Sequence, residues 1–123
     1  MNSIAQPTPH WWVICLCAQW CNVCREWREA FTEAAAAHPD WHFAWVDVED
    51  EAEAMGDFDI ETFPTVLIAR DGDALFLGPV QPSAGQLARL VSSLAQDNAP
   101  RPSANADAGP LLTRLAASVL AKL

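Results

Sequence analysis

All four cysteines of this 123-residue chain lie in one short stretch, ICLCAQWCNVC, which covers residues 14–24. The stretch starts inside an apolar run, residues 11–18, that is rich in β-forming residues. A run of this kind predicts a strand buried on both faces. The cysteines therefore mark the end of a strand, and they admit three interpretations: a redox pair with two bystanders, a four-thiolate metal site, or a structural cluster.

The residues after the last cysteine predict a helix over 22–38. Apolar residues recur there at spacings of three and four, as on one face of a helix: Val23, Trp27, Phe31 and Ala34. Pro39 ends the pattern, because its ring does not fit a helix interior. The cysteines thus lie where a strand leads directly into a helix.

The rest of the pattern predicts an α/β domain with a mixed β-sheet, in the order β-α-β-α-β-β-α. Strands are expected at residues 42–48, 64–69 and 74–78, and a short acidic helix at 49–55. Asp71-Gly72 predicts a hairpin turn between the last two strands. Ser83 begins a helix whose apolar face is formed by Leu87, Leu90, Val91 and Leu94.

The C-terminal part divides into a linker and a helix. Residues 1–96 suit one domain by length, and residues 97–110 are rich in Pro, Ala and Asn without periodicity. Residues 111–123 predict an amphipathic helix, with Pro110 in its first turn. Its apolar stripe consists of Leu112, Leu115, Val119 and Leu123.

Composition excludes several partners. The net charge of −9 provides no basic stripe that could bind phosphates, so nucleic acid is not expected as a partner. No run approaches the about 20 apolar residues that a membrane-spanning helix needs. Residues 1–10 lack the basic and apolar pattern of a signal peptide, and closely spaced thiols suit a reducing compartment. We therefore expect a cytoplasmic protein.

Position within the junction assigns different roles to Cys21 and Cys24. Cys21 is expected at the helix start, where backbone N–H groups and the helix dipole favour an anion. A thiolate is the nucleophile in thiol–disulfide exchange. Cys24 lies one helical turn further on and can reach Cys21 with little backbone movement. The predicted catalytic residues are Cys21, which attacks, and Cys24, which resolves the mixed disulfide.

Four segments resemble the thioredoxin family in order and spacing. They are AQWCNVC at residues 18–24, WVDV at 45–48, FPTVLIARDG at 63–72, and Gly78 followed by SAGQL at 83–87. The similarity covers roughly residues 11–96. It implies the thioredoxin fold, a central mixed sheet flanked by helices, and a protein-disulfide oxidoreductase that needs no cofactor and no metal.

The resemblance also implies a substrate site around the cysteines. Pro64 matches the family's cis-proline, which lets the backbone of Phe63 pair with an extended substrate. Trp20 and Gly78 match the flat apolar surface where partner proteins dock. The expected partners are protein thiols and disulfides, together with an upstream reductase or oxidant.

Two residues depart from the family pattern. Cys15 stands where thioredoxins carry a buried aspartate that helps to deprotonate the resolving cysteine, and Trp45 stands where a lysine usually accompanies it. Cys24 would then depend on water, a nearby carboxylate or the leaving thiolate. We expect slower disulfide reduction than in a typical thioredoxin, or a different working direction. Cys15 and Cys17 are expected on one face of the strand, either as buried packing or, for Cys17, as a third redox thiol.

The chain ends are the other departure. Residues 1–10 are too few for the strand and helix that family members usually place before the central strand, so this part of the fold is expected to be shortened. We hypothesise that the helix at 111–123 replaces the missing helix on the sheet. It would do so in its own chain or, by exchange, in a homodimer.

Residues 47–61 carry eight acidic side chains and no basic one, which favours basic or neutral partner proteins. Three functions follow from these observations. The first is a thiol–disulfide oxidoreductase working through the dithiol of Cys21 and Cys24. The alternative is a thioredoxin-like polypeptide-binding or assembly module with little turnover. The third is a protein whose thiols bind zinc or an iron–sulfur cluster.

Overall fold

The computed structural model describes residues 11–96, 105–118 and 120. Four strands and four helices follow one another in the predicted order: β1 Trp11–Cys17, α1 Asn22–Ala37, β2 His42–Asp47, α2 Ala52–Met55, β3 Thr65–Arg70, β4 Asp73–Pro79, α3 Ala84–Gln96 and α4 Ala108–Ala117. The last helix begins at Ala108 rather than at Leu111, so that Pro110 lies within its first turn.

The strands form one mixed sheet in the order β2-β1-β3-β4. β1 pairs in parallel with β2, and the crossover between them contains α1. β3 runs antiparallel to both β1 and β4. The central position of β1 explains why its residues are apolar on both faces, and it places the cysteine stretch at the middle of the sheet.

The hairpin between β3 and β4 follows the predicted Asp71-Gly72 turn. Both residues have positive φ, 52° and 88°, as a two-residue hairpin loop requires. Farther along, the register shifts between Ile68 and Ala69, so that Leu75 is an extra residue in β4. This irregularity lets Leu75 and Phe76 both contribute to the same face of the sheet.

One face of the sheet is covered by α1 and α3. Trp11, Val13, Cys15 and Cys17 of β1 point to this side, where they pack with the buried faces of the two helices. On α1 the buried residues are Cys24, Trp27, Phe31 and Ala34. The predicted stripe was wrong at its first position, because Val23 is 41% exposed and Cys24 takes its place.

The opposite face is covered by α2 and α4. Ile14 and Leu16 of β1 point to this side and join a cluster that includes the buried residues of α4: Ala108, Leu111, Leu112 and Leu115. The extra C-terminal helix therefore covers the sheet of its own chain. Residues 1–10, 97–104, 119 and 121–123 lie outside the described residues, and with them the expectations for the N-terminal segment, most of the linker, Val119 and Leu123.

Arg114 connects α4 to the end of α2. Its guanidinium group donates hydrogen bonds to the carbonyl oxygens of Ala54, at 2.8 Å, and Met55, at 2.9 Å. Gly56 follows with φ of 60°, and a Cβ there would lie 3.0 Å from the Arg114 side chain. The carbonyl groups at the C-terminus of α2 are thus satisfied by α4.

Within the described ranges, no helix has the length and apolar character required to cross a membrane.

Candidate functional site

The site begins at the turn between β1 and α1. Cys21 is the N-cap of α1, and its backbone N–H donates to the carbonyl oxygen of Ala18 at 3.0 Å. Among the described residues, no side chain caps this end of α1, and its first turn contains no acidic residue. The first N–H groups of the helix therefore remain available to an anionic sulfur at Cys21.

Burial separates the two predicted catalytic cysteines. Cys21 is partly exposed, whereas Cys24 is 1% exposed and belongs to the core under α1. A sulfur that attacks a partner protein must be accessible, and a sulfur that resolves the mixed disulfide only needs to reach Cys21. The observed difference in exposure fits that division.

The structure bonds Cys24 to Cys17 and leaves Cys15 and Cys21 as free thiols. Cys17 is the last residue of β1, Cys24 lies on the buried side of α1, and their Cα atoms are 5.8 Å apart. The expected pair of Cys21 and Cys24 is therefore not the pair that is bonded here, and its catalytic roles remain predictions. The sequence indicated that Cys15 and Cys17 share a face, but it did not identify Cys17 as a partner of Cys24.

Cys15 lies beside this disulfide and is fully buried. The indole N–H of Trp27 donates to its sulfur at 3.3 Å, and the sulfurs of Cys15 and Cys17 are 3.6 Å apart. Burial raises the pKa of the Cys15 thiol to about 12, although the hydrogen bond from Trp27 offsets part of the rise. Cys15 therefore stays protonated at neutral pH and is no substitute for a carboxylate base.

Four residues are expected to bind substrate: Trp20, Phe63, Pro64 and Gly78. Trp20 is 62% exposed, and its ring meets that of Phe63 edge to face with centroids 5.7 Å apart. The indole N–H of Trp20 also donates to the Glu49 carboxylate. The Phe63–Pro64 peptide bond is cis, and Gly78 lies opposite Val66 on the neighbouring strand.

Two apolar clefts lie on either side of Phe63. The first, of about 450 Å³, is lined mainly by Trp20, Met55, Phe58, Ile60 and Phe63, with Asp59 and Glu61 also contributing. The second, of about 550 Å³, is lined by Phe63, Phe76, Val80, Pro82 and Leu90 among others. Phe63 therefore lines two clefts whose walls are largely apolar.

A third cleft, of about 350 Å³, opens beside Cys24 and is charged. Its lining combines two basic and three acidic side chains with an aromatic ring: Arg25, Arg28, Asp47, Asp50, Glu51 and Trp45. The guanidinium carbon of Arg28 lies 5.2 Å from the centre of the Trp45 ring, so an arginine occupies the space beside the residue that replaces the family's lysine. Three carboxylates, those of Asp47, Asp50 and Glu51, therefore line the same cleft as Cys24.

Asp47 joins the two loops that border this cleft. One carboxylate oxygen accepts the backbone N–H of Gln19 at 3.0 Å. The other accepts the N–H groups of Glu49 and Asp50, at 2.9 and 3.2 Å. The turn that leads to Cys21 is thus fixed to the loop that follows β2.

One interpretation of the four cysteines was a metal site. In the part of the chain that the structure describes, no group of three or more His, Cys, Asp or Glu side chains is placed to hold a metal ion. Two of the four sulfurs are bonded to each other, and Cys15 lies within β1.

Comparison with known proteins extends these observations. The family model described as Thioredoxin matches residues 2–94, which is more than half of the chain. A Streptomyces coelicolor protein that carries the name thioredoxin 2 is 35% identical over 79 residues, covering 64% of this chain and 57% of that protein. A thioredoxin of Mycoplasmoides gallisepticum is 36% identical over 55 residues, covering 45% of this chain and 55% of that protein. The chain thus spans about half the length of the curated relatives it matches.

Solved structures give the same result for the fold. The crystal structure of thioredoxin from Trypanosoma brucei brucei superposes with a TM-score of 0.63 at 25% identity, covering 72% of this chain and 77% of that chain.

Proposed function

Because this chain belongs to the thioredoxin family, we propose that it is a thiol–disulfide oxidoreductase that exchanges disulfides with protein substrates through Cys21 and Cys24. The observation that carries the proposal is the position of Cys21: partly exposed, at the N-terminus of α1, and next in sequence to Trp20, whose ring contacts that of Phe63. A sulfur at this position is accessible to a partner.

The proposed cycle consists of two exchange steps. The Cys21 thiolate attacks one sulfur of a substrate disulfide, a bond forms between Cys21 and that sulfur, and the other substrate sulfur leaves as a thiolate. Cys24 then attacks the Cys21 sulfur and releases the second substrate thiolate. The substrate gains two electrons, and the enzyme is left with a disulfide that an upstream thiol reductant must reduce. Run in reverse, the same steps oxidise a substrate dithiol.

We propose that the substrate is an extended polypeptide lying across Phe63 and Pro64. Its apolar side chains would enter the two clefts on either side of Phe63. Asp59 and Glu61 line the first cleft, and Glu49 is bonded to Trp20 at the surface. This surface disfavours acidic partners and favours basic or neutral ones.

The cycle lacks the family's usual base for Cys24. Cys15 occupies that position and is protonated at neutral pH. The charged cleft beside Cys24 offers the alternative route, since it brings water together with Asp47, Asp50 and Glu51. We therefore propose that resolution by Cys24 limits the rate, because proton removal proceeds through this cleft without a buried carboxylate.

The test is reduction of insulin, a protein with accessible disulfides, by wild type, Cys21→Ser and Cys24→Ser with dithiothreitol as reductant. Wild type is expected to accelerate the reaction, and both variants to lose the activity. When reduced protein is freed of dithiothreitol and then mixed with insulin, Cys24→Ser is also expected to accumulate a mixed disulfide through Cys21, which Cys21→Ser cannot form. Activity that survives in Cys21→Ser would overturn the proposal.

A second candidate is a polypeptide-binding or assembly module with little turnover. The observation that favours it is the bond between Cys17 and Cys24, because it withdraws the resolving thiol from Cys21. Insulin reduction distinguishes the two functions. A protein that binds unfolded polypeptide at the Phe63 clefts but shows no turnover in wild type would be a module of this kind.

The cellular setting is also a proposal. Free thiols at Cys15 and Cys21 suit a reducing compartment such as the cytoplasm, and the cycle needs an upstream reductase or oxidant.

Exchange of α4 between two copies would build a homodimer without new contacts, because the buried face of α4 already fits the sheet. Sedimentation of the full chain at increasing concentration tests the dimer.

A further inference from the structure

All four sulfurs belong to one part of the core. Cys15, Cys17 and Cys24 are buried in the cluster between the sheet and α1, and Cys21 packs against that cluster from its exposed edge. Thiol–disulfide exchange needs only that one sulfur reaches another. Thiol–disulfide exchange within this cluster is therefore not restricted to Cys21 and Cys24, the two cysteines of the W-C-N-V-C motif.

Cys24 has two such partners, on opposite sides. Cys21 precedes it by one helical turn and lies at the surface. Cys17 lies at the end of β1, on the inner side, and is the partner to which Cys24 is bonded. Cys24 is thus the sulfur through which a disulfide can pass between the surface and the core.

We propose, on the basis of the function proposed above, that Cys17 is a third redox thiol that takes the disulfide over from Cys21 by bonding to Cys24. The surface pair of Cys21 and Cys24 would be the form produced by the substrate. The inner pair of Cys17 and Cys24 would be the form in which the oxidised protein rests.

The transfer is an isomerisation. As a thiolate, Cys17 attacks the Cys24 sulfur of the surface disulfide. The Cys17–Cys24 bond forms, the Cys21–Cys24 bond breaks, and the electron pair of the broken bond leaves on the Cys21 sulfur. The proton that Cys17 loses is balanced by the one that Cys21 takes up. No external oxidant or reductant is required.

Cys15 lies beside this step but does not exchange in it. A disulfide sulfur carries no hydrogen, so in the bonded form the thiol of Cys15 is the donor across the 3.6 Å to Cys17. Cys15 itself is held by Trp27 and remains protonated, which makes it a poor nucleophile.

The transfer changes what Cys21 can do. Once the disulfide has moved inward, Cys21 is again a free thiol at the surface, next to the substrate clefts. It can attack a second substrate disulfide, but Cys24 is no longer available to resolve the product. The oxidised protein is therefore expected to retain partners as mixed disulfides, whereas the fully reduced protein releases them.

The experiment determines which cysteines are paired in the full chain after oxidation. Reduced protein is oxidised with diamide, so that the disulfide forms without catalytic turnover on a substrate. The sample is then quenched with acid, alkylated and digested with chymotrypsin. Cleavage after Leu16, Trp20 and Trp27 places Cys17 alone in fragment 17–20, and Cys21 with Cys24 in fragment 21–27. The proposal predicts that the two fragments are joined and that Cys21 is alkylated. A disulfide within fragment 21–27 as the major product would overturn it.

Two buried variants provide the comparison. Cys17→Ala is expected to lose the joined fragments and to move the disulfide to Cys21 and Cys24. Cys15→Ala, a matched substitution on the same strand and face, is expected to retain them. A Cys17→Ala protein in which Cys21 and Cys24 are both still alkylated as free thiols after diamide treatment would show that the surface pair does not form, and would overturn the proposal. Mapping of wild type does not depend on the folding of either variant.

A second measurement separates this inference from the proposed function. Wild type is oxidised with diamide, desalted and mixed with insulin, and mixed disulfides are counted on non-reducing gels. Oxidised wild type is expected to capture insulin through Cys21, and oxidised Cys17→Ala to lose that capture. Wild type that reduces insulin under dithiothreitol but captures none after oxidation would retain the oxidoreductase function and overturn the inner disulfide. Failure of insulin reduction in wild type would instead overturn the oxidoreductase function.

Discussion

The two faces of the central sheet differ in chemistry, although β1 contributes to both. Ile14 and Leu16 point toward α4 and meet aliphatic side chains. Cys15 and Cys17, which alternate with them, point toward α1 and meet sulfur and aromatic rings. The aliphatic face closes the fold, and the sulfur face contains the cysteines of the proposed exchange chemistry. One strand thus serves both purposes because successive side chains point in opposite directions.

The difference suggests that substitutions on the two faces should have separable effects. Changes under α4 should alter the free energy of unfolding and leave exchange chemistry intact. Changes under α1 should alter rates, pairing or pH dependence.

Leu115→Ala should have the largest effect. Leu115 is fully buried between α4 and the sheet, so its truncation leaves a cavity. We expect the free energy of unfolding, measured with urea, to fall by about 2–5 kcal/mol. Ala116→Ser, on the exposed side of the same helix, is the control and should change it by less than about 0.5 kcal/mol. Equal stabilities would show that α4 does not cover the sheet in solution.

Cys15→Asp should increase the rate of insulin reduction. A carboxylate beside the sulfurs of Cys17 and Cys24 could accept a proton from Cys24, and we expect a gain of about 100-fold, the low end for a positioned base. Cys15→Asn has a similar shape but no base, and should not accelerate the reaction. Burying the carboxylate should also lower stability. If the aspartate and asparagine variants reduce insulin equally fast, the missing base does not limit the rate.

Cys15 should also make stability depend on alkaline pH. Its pKa rises from 9.0 to about 12 on folding, so the folded state holds the proton more tightly. The stabilisation is complete below pH 9.0 and is lost as pH rises toward 12, by at most about 1.4 kcal/mol per pH unit. Urea unfolding of Cys21→Ser and of Cys15→Ala/Cys21→Ser across this range isolates the effect of Cys15. If the free energies of unfolding of the two variants change with pH in the same way, Cys15 does not contribute to the pH dependence.

Arg114→Ala should have the smallest effect. It removes the hydrogen bonds to the carbonyl oxygens of Ala54 and Met55, and a loss of about 1 kcal/mol is expected at this half-buried position. Arg114→Lys keeps the charge but cannot make both hydrogen bonds in the same geometry. Its free energy of unfolding should lie between those of wild type and Arg114→Ala. A lysine variant no more stable than the alanine variant would show that the paired hydrogen bonds alone matter.

Much of the fold could be predicted from the sequence, because its elements have clear periods. Three local patterns predicted the elements in which they occur: the continuous apolar run of β1, the helical spacing of α1, and the Asp71-Gly72 turn between β3 and β4. Errors arose where the helical spacing predicts a helix but does not decide which of two neighbouring residues faces the core. Val23 and Cys24 both continue the spacing of Trp27, and contact with the sheet decides that Cys24 is the buried one.

The site was less predictable than the fold. The positions of Cys21, Trp20 and Phe63 follow from a local motif and a turn. The bond between Cys17 and Cys24 depends on how the last residue of a strand meets the underside of a helix, and this geometry has no signature in residue spacing. The placement of α4 likewise depends on the shape of an uncovered sheet face rather than on its own amphipathic pattern.

The carboxylate of Asp47 has a consequence for motion. It accepts the N–H groups of Gln19, Glu49 and Asp50, so the turn that carries Trp20 cannot move without releasing the loop after β2. These amides should exchange their hydrogens together and more slowly than their exposed positions suggest. Asp47→Ala should bring their exchange close to that of an open loop. One side chain from the loop after β2 would then set how often the turn before Cys21 opens.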